Sequence, residues 1–226
     1  EFEKASKVLG FNFYYLKIPN IFGPFCKPNY NSFIATFSDK LIKNEKPKII
    51  EDNKVLLIYI DDLIYSILRL LEGKSPYYNK EVLREIKVSE VLKKLFSFKE
   101  HYIEKNEFPE LQTSFDLNLF NTFRSYIDFK TFYPKKYLLN QDHRGFFSEL
   151  SRSASKGQSS FSSTNPNITR GNHFHTRKVE RFSVIKGKAK IQLRKYLTNE
   201  IISFELDGKN LSFVDMPVWY THNITN

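Results

Sequence analysis

His173-Phe174-His175, followed after four residues by Glu180, puts two imidazoles and a carboxylate into one short segment. Side chains alternate faces along a strand, so on a strand His173 and His175 point the same way and can meet one ion. Glu180 adds a hard oxygen donor. A fourth ligand must come from elsewhere, and His222, within Pro217–Asn226, is the candidate. Histidine and glutamate together suit zinc, iron, manganese or nickel, and residue types alone do not choose among them. A His-x-His pair by itself more often binds nothing, so its context has to carry the metal reading.

A second constellation surrounds the first. Asp142-His143-Arg144-Gly145-Phe146-Phe147-Ser148-Glu149 precedes it, together with Gln158-Ser159-Ser160, and Thr169-Arg170-Gly171-Asn172 leads into His173. A planar guanidinium pairs with phosphate through two parallel hydrogen bonds. Two spaced arginines at a barrel mouth can therefore clamp a diphosphate. The same residues equally fit a surface turn closed by an Asp142–Arg144 ion pair.

The elements that must position these groups divide in character. The apolar, aromatic run Phe11–Ile18 predicts a buried strand, and Pro19–Pro24 breaks it. Ser32 is placed to cap a helix reaching about Asn44. Val55–Ile60 reads as a strand, and Asp61 or Asp62 as the cap of a helix through about Leu71, with Gly73 at its stop. Ser89 to about Phe96 and Ser114–Tyr126 read as further helices. From about Asp128 helical periodicity fades. The runs Arg181–Ile185, Ala189–Leu193, Ile201–Leu206 and Leu211–Val214 are separated by turns such as Lys186-Gly187 and Asp207-Gly208. That pattern is all-β, a barrel or sandwich. The boundary falls near residue 127, giving an α/β part at 1–127 and an all-β part at 128–226.

The chain has 226 residues and a net charge of +10. Its basic residues are mostly lysines scattered among acids (Lys87, Glu90, Lys93, Lys94, Lys99, Glu100), and no nucleic-acid motif accompanies them. The charge therefore reads as a solvated surface, with no nucleic-acid partner expected. No apolar run approaches the roughly 20 residues that span a bilayer, so no membrane partner is expected either. Cys26 is the single cysteine. It rules out an intramolecular disulfide and a cysteine-based zinc site, and fits a reducing cytoplasm. Glu1–Lys7 reads as the middle of a helix without an initiator methionine, and the chain is taken as a fragment beginning inside a domain.

The metal-ligand context resembles the cupins. Their first motif, His-x-His, a few residues, Glu, six residues, Gly, is matched by His173, His175, Glu180 and Gly187. Their second, Pro-x-Gly-x-x-His-x-x-x-Asn, is matched by Pro217, His222 and Asn226, with Trp219 where the family has Gly. Asn167 likewise stands where the first motif opens with Gly. These departures fall at turns and remove no ligand. The resemblance implies a jelly-roll β-barrel over 128–226 with His173, His175, Glu180 and His222 as ligands of a divalent metal, zinc being the expectation. The Asp-x-Arg-Gly string followed by Arg-Gly-x-His resembles the sugar 3,5-epimerases of the dTDP-rhamnose pathway. In that family the histidine after Arg-Gly is the epimerising base. Here it is His173, which the cupin motif claims as a ligand. An imidazole that ligates through one nitrogen is a poor base, so the ligand role is favoured. The acid/base group stays open between Tyr220, which could equally be barrel packing, and His143, which could equally be a surface turn.

Leu16–Pro24 and Tyr59-Ile60-Asp61-Asp62-Leu63 resemble segments of the extended short-chain dehydrogenases. With the C-terminal cupin, the whole resembles the bifunctional capsular polysaccharide enzymes that make UDP-N-acetyl-L-fucosamine precursors. The resemblance implies the C-terminal part of a Rossmann-type domain at 1–127. It also implies epimerisation at C3 of a UDP-4-keto-6-deoxy-N-acetylhexosamine by the cupin, reduction at C4 with NADPH by the dehydrogenase, a cytoplasmic homodimer and a UDP-sugar substrate. Substrate contacts are implied for Arg144, Glu149, Gln158, Arg170, Asn20 and Asn29. No Gly-x-x-Gly-x-x-Gly loop and no Tyr-x-x-x-Lys pair occurs in these residues. No cofactor contact is assigned, and this chain alone is not expected to bind NADPH or transfer hydride. The alternative from a different class is an inactive module that uses a metal-stabilised cupin to bind sugar or to dimerise.

Overall fold

The computed structural model describes residues 1–77 and 82–226, which form two compact units. The first comprises Glu1–Lys135 and Ser151–Gly157; the second comprises Lys136–Leu150 and Gln158–Asn226.

The first unit is α/β. Helix α1 (Phe2–Leu9) ends at Gly10, whose φ of 74° is the left-handed stop that glycine supplies. Strand β1 (Asn20–Phe22) pairs in parallel with β2 (Lys54–Tyr59), and β2 pairs antiparallel with β3 (Leu83–Lys87). Helix α2 (Phe33–Ile42) starts as expected, with the Ser32 hydroxyl accepting from the Ala35 N–H. Helix α3 (Ile60–Leu71) follows β2 directly. Asp61 and Asp62 lie inside its first turn rather than at its cap, where they complement the helix dipole. Helix α4 (Val88–Phe98) widens into a π-helical turn, Lys99–Glu104. Helix α5 (Ser114–Arg124) opens on a reciprocal cap. The Thr113 hydroxyl accepts from the Asp116 N–H, and the Asp116 carboxylate accepts from the Thr113 N–H. The single turn α6 (Phe129–Phe132) follows. Ile34, Leu41, Leu57, Val91, Leu95, Leu119 and Phe123 are buried at the centre, from α2, β2, α4 and α5.

Two expectations for this unit need correcting. Phe11–Ile18 is not a strand and is not buried; Tyr15 is 78% exposed. An apolar run becomes a strand only where another backbone offers N–H and C=O groups, and the pairing of β1 with β2 begins only at Asn20. The Rossmann-type sheet expected here is not seen among the described residues, which give one parallel pair, β1 with β2, followed by a helix. A parallel sheet grows by repeated strand–helix units, whereas this three-stranded sheet is mixed, with β3 antiparallel to β2.

The second unit is antiparallel throughout. Strands β4 (Asn140–Asp142), β5 (Gly145–Arg152) and β6 (Gln158–Ser162) make one sheet. Strands β7 (Thr169–His173), β8 (Glu180–Ser183), β9 (Lys188–Lys195), β10 (Ile201–Asp207), β11 (Phe213–Met216) and β12 (Tyr220–Thr225) make a four-stranded sheet, ordered β10-β9-β12-β7, and a pair, β11-β8. The expected strands and the turns at Gly187 and Gly208 are present. No ladder among the described residues joins the sheets into a closed barrel, because β7, β10 and the β8–β11 pair keep free edges. Val184, Ala189, Ile191, Leu193, Leu206 and Met216 form the apolar core. No helix among the described residues is long and apolar enough to cross a membrane.

Candidate metal centre

Alternation along β12 turns Tyr220, His222 and Ile224 to one face, and this face meets the core of the second unit. His222 is the buried member, 1% exposed. Across the β12–β7 ladder it lies opposite His173, with ring centroids 4.7 Å apart. The next pair is Asn223 with Gly171, so Asn172 is an extra residue, at φ 60°. This bulge re-aims the end of β7. Gly171 is needed beside it, because a Cβ there would lie 2.8 Å from the His222 carbonyl oxygen. Glu180 opens β8 opposite Met216, and His175 lies two residues beyond the end of β7.

The ligand atoms of His173, His175, Glu180 and His222 all lie within 4.8 Å of one another. Glu180 Oε2 is 3.2 Å from His175 Nε2 and 3.3 Å from His222 Nε2. All three atoms are buried and have no hydrogen-bond partner. Such groups are expensive to leave unsatisfied. The tautomer of His222 sharpens the point. Its Nδ1 is 3.3 Å from the Tyr220 carbonyl oxygen, which can only accept, so the proton belongs on Nδ1 and the lone pair on Nε2. A nitrogen lone pair thus faces a carboxylate oxygen across 3.3 Å, an arrangement that a cation between them would resolve.

Protonation states agree with that donor set. Burial first, then the neighbouring imidazoles, pull the His222 pKa below its ordinary value despite the Tyr220 and Glu180 contacts, favouring the neutral, ligating form. For Glu180 burial acts to raise the pKa, but the hydrogen bond and charge of Lys178, with the two histidines, outweigh it and hold the carboxyl below the usual range. Lys178 Nζ donates to Oε1, leaving Oε2 to the histidines. Lys178 and Phe182, whose ring meets His222 edge-on at 6.0 Å, escaped sequence reasoning. Neither belongs to a spacing motif, although both sit within two residues of Glu180.

The two departures from the glycine pattern keep a glycine-like backbone. Asn167 has φ 62° and Trp219 φ 64°. Asparagine visits that region readily, whereas tryptophan does so under strain. Asn226 is tied in three times: its carbonyl accepts from the Asn167 N–H at 2.8 Å, its N–H donates to the Ile168 carbonyl at 3.2 Å, and its side chain donates to the Thr164 carbonyl.

The other candidates each make contacts of their own. Tyr220 packs against the apolar core. His143 is exposed in the β4–β5 turn, its carbonyl accepting from Asn165. Arg144 forks onto Asp142 through Nε and Nη2, at 3.0 and 2.6 Å, and holds the Asp142 pKa down to about 2. Gly145 is fixed by close approach, since a Cβ would lie 2.3 Å from the Ser163 carbonyl oxygen. Arg170 Nη1 donates to the carbonyls of Ser163 and Phe146. Glu149 is half-buried in β5, and Gln158 at the start of β6 donates to Ser160. Asn20 and Asn29 belong to the first unit. The Asn20 side chain donates to the Leu56 carbonyl, and the Asn29 N–H donates to the Thr36 hydroxyl.

Residues 140–226 match the family described as Polysaccharide biosynthesis C-terminal domain. Over 227 residues the chain is 31% identical to a UDP-2-acetamido-2,6-beta-L-arabino-hexul-4-ose reductase of Pseudomonas aeruginosa, covering 96% of this chain and 59% of the relative. The capsular polysaccharide assembling protein CapF from Staphylococcus aureus superposes with a TM-score of 0.87 at 35% identity, over 100% of this chain and 62% of that one. CapF with the inhibitor 3-isopropenyl-tropolone gives the same TM-score and identity and is covered to 67%. The chain thus spans about three fifths of the length of the first of these relatives.

Proposed function

We propose that this chain, which belongs to the family of the capsular polysaccharide assembling protein CapF, is a section of a nucleotide-sugar-modifying enzyme of polysaccharide biosynthesis. Its metal centre serves epimerisation at C3 of a UDP-4-keto-6-deoxy-N-acetylhexosamine. The observation that carries the reading is the set of opposed, buried, unpartnered donors at His175, Glu180 and His222. A hexul-4-ose, the sugar in the name of the Pseudomonas relative, is a 4-keto sugar, and the C–H beside its ketone is acidic enough to exchange.

In this reading His173, His175, Glu180 and His222 hold a divalent ion, zinc first among those the donor set accepts. When bound, the ion supplies Lewis acidity toward a carbonyl oxygen. The Nδ1–H bond of His222 to the Tyr220 carbonyl keeps the ring neutral and aimed. Inversion also needs a group to remove the C3 proton and one to return it on the other face, and Tyr220 and His143 are the candidates. Arg144 and Arg170 retain N–H groups beyond their present bonds and are proposed for the diphosphate. Reduction at C4 with NADPH would draw on a dinucleotide loop and a Tyr/Lys pair that are not among these residues.

The test is incubation with the UDP-4-keto sugar in deuterated water, followed by proton NMR. Loss of the C3 proton signal is expected, and it should disappear in His175→Ala. A metal-loaded protein that exchanges nothing at C3 would replace the epimerase with a metal-stabilised binding or dimerisation module, which the small apolar core of the second unit would also suit.

A further inference from the structure

Three of the four candidate ligands are fixed by strand ladders. His173 and His222 face each other across β7 and β12, and Glu180 is paired with Met216 across β8 and β11. His175 alone lies outside any strand. The atom that anchors its backbone belongs to Trp219, whose N–H donates to the His175 carbonyl at 2.9 Å. The Trp219 carbonyl in turn accepts from the Tyr196 N–H at 2.8 Å.

The side chains close over the same link. The Phe174 ring stacks on Trp219, with centroids 5.6 Å apart and planes 27° apart, and meets Tyr196 at 5.4 Å. Tyr196 and Trp219 complete the trio at 5.9 Å. Phe174 is the residue between His173 and His175, so the trio grips the ligand segment at its midpoint. Trp219 holds this place in the left-handed region, at φ 64°, with about half its surface exposed. Glycine would take that backbone without strain. A large residue kept there against both conformation and solvent is held by what its ring touches.

We infer that Trp219, with Phe174 and Tyr196, forms an aromatic clasp that positions His175 and thereby sets the metal affinity of the centre. The inference rests on the metal reading above. Trp219 is a positioning residue: it acts through the His175 backbone and the Phe174 ring, and touches no ligand atom.

Trp219→Gly separates the clasp from the turn, because it relaxes the backbone and keeps the N–H while removing the ring. Zinc affinity is measured by competition with a chromophoric chelator, and the melting temperature of the metal-free protein is measured beside it. Trp219→Gly is expected to bind zinc roughly tenfold to a hundredfold more weakly, the usual cost of losing an outer-shell support, with no fall in metal-free melting temperature. Trp219→Phe should restore most of the affinity. Phe174→Ala should match Trp219→Gly, and the double variant should be no weaker than either. Zinc binding as tight as the parent's in Trp219→Gly and Phe174→Ala overturns the clasp and leaves the metal centre standing. If Trp219→Gly does not fold, unchanged affinity in Phe174→Ala overturns it. A parent chain that binds no zinc overturns the metal centre and the clasp together.

Discussion

The two units solve the problem of an interior differently. Among the described residues, fifteen buried apolar side chains form one cluster in the first unit, in which the Phe22 ring meets Phe115 and the Phe98 ring meets Phe120 and Phe123. The second unit has a cluster of six, one of them an alanine, and beside it the Nε2 of a buried histidine and a carboxylate oxygen, both without hydrogen-bond partners. A core that small supplies little stability by apolar burial alone. Hence the first unit should depend on its hydrophobic side chains, and the second on whatever satisfies its polar ones.

The largest effect that tests this contrast is Phe123→Ala. This α5 side chain is fully buried, its ring meeting Phe98 of α4, and truncation should cost about 3–5 kcal/mol. Hydrogen exchange should report the loss across residues of the first unit, with zinc stoichiometry unchanged; protection lost equally in both units would break the comparison. Next comes metal removal. With free zinc at a hundred times its Kd, binding stabilises the folded form by about 2.7 kcal/mol, so a chelator should lower protection in β7, β8 and β12 and leave α4 and α5 alone. Uniform indifference to the chelator would deny the second unit its polar staple. The smallest effect is Thr113→Ala, which removes the reciprocal cap of α5 and should cost about 1 kcal/mol, read as a lower urea midpoint for the first unit only.

The grouping of the four candidate ligands was legible because a spacing rule carried it. His173, His175, Glu180 and Gly187 keep the intervals of the first cupin motif, and His222 follows a proline-led turn. The helix that starts at Ser32 and the one that starts at Ser114 were legible for a similar reason: capping and 3.6-residue periodicity are local. Phe11–Ile18 was not. Its composition is that of a strand, but strand formation is a pairwise event, and the described residues bring no partner to it. The boundary aspartates of α3 were misread as caps because Tyr59 ends β2 and enters the helix at once.

The sequence by itself determined which side chains can ligate, that they lie in an all-β C-terminal part, and that Trp219 and Asn167 stand where a turn wants glycine. Those facts follow from residue types and short intervals along the chain. Only the tertiary structure decided that Trp219 adopts the left-handed backbone all the same, that the bulge at Asn172 turns β7 toward β12, and that His175 hangs outside every ladder with its carbonyl on the Trp219 N–H. It also turned Arg144 onto Asp142 and Arg170 onto two carbonyls. A hydrogen-bonding group takes whichever partner the packed fold brings within about 3 Å, and residues as far apart in sequence as His175 and Trp219 become neighbours only when the strands are laid side by side.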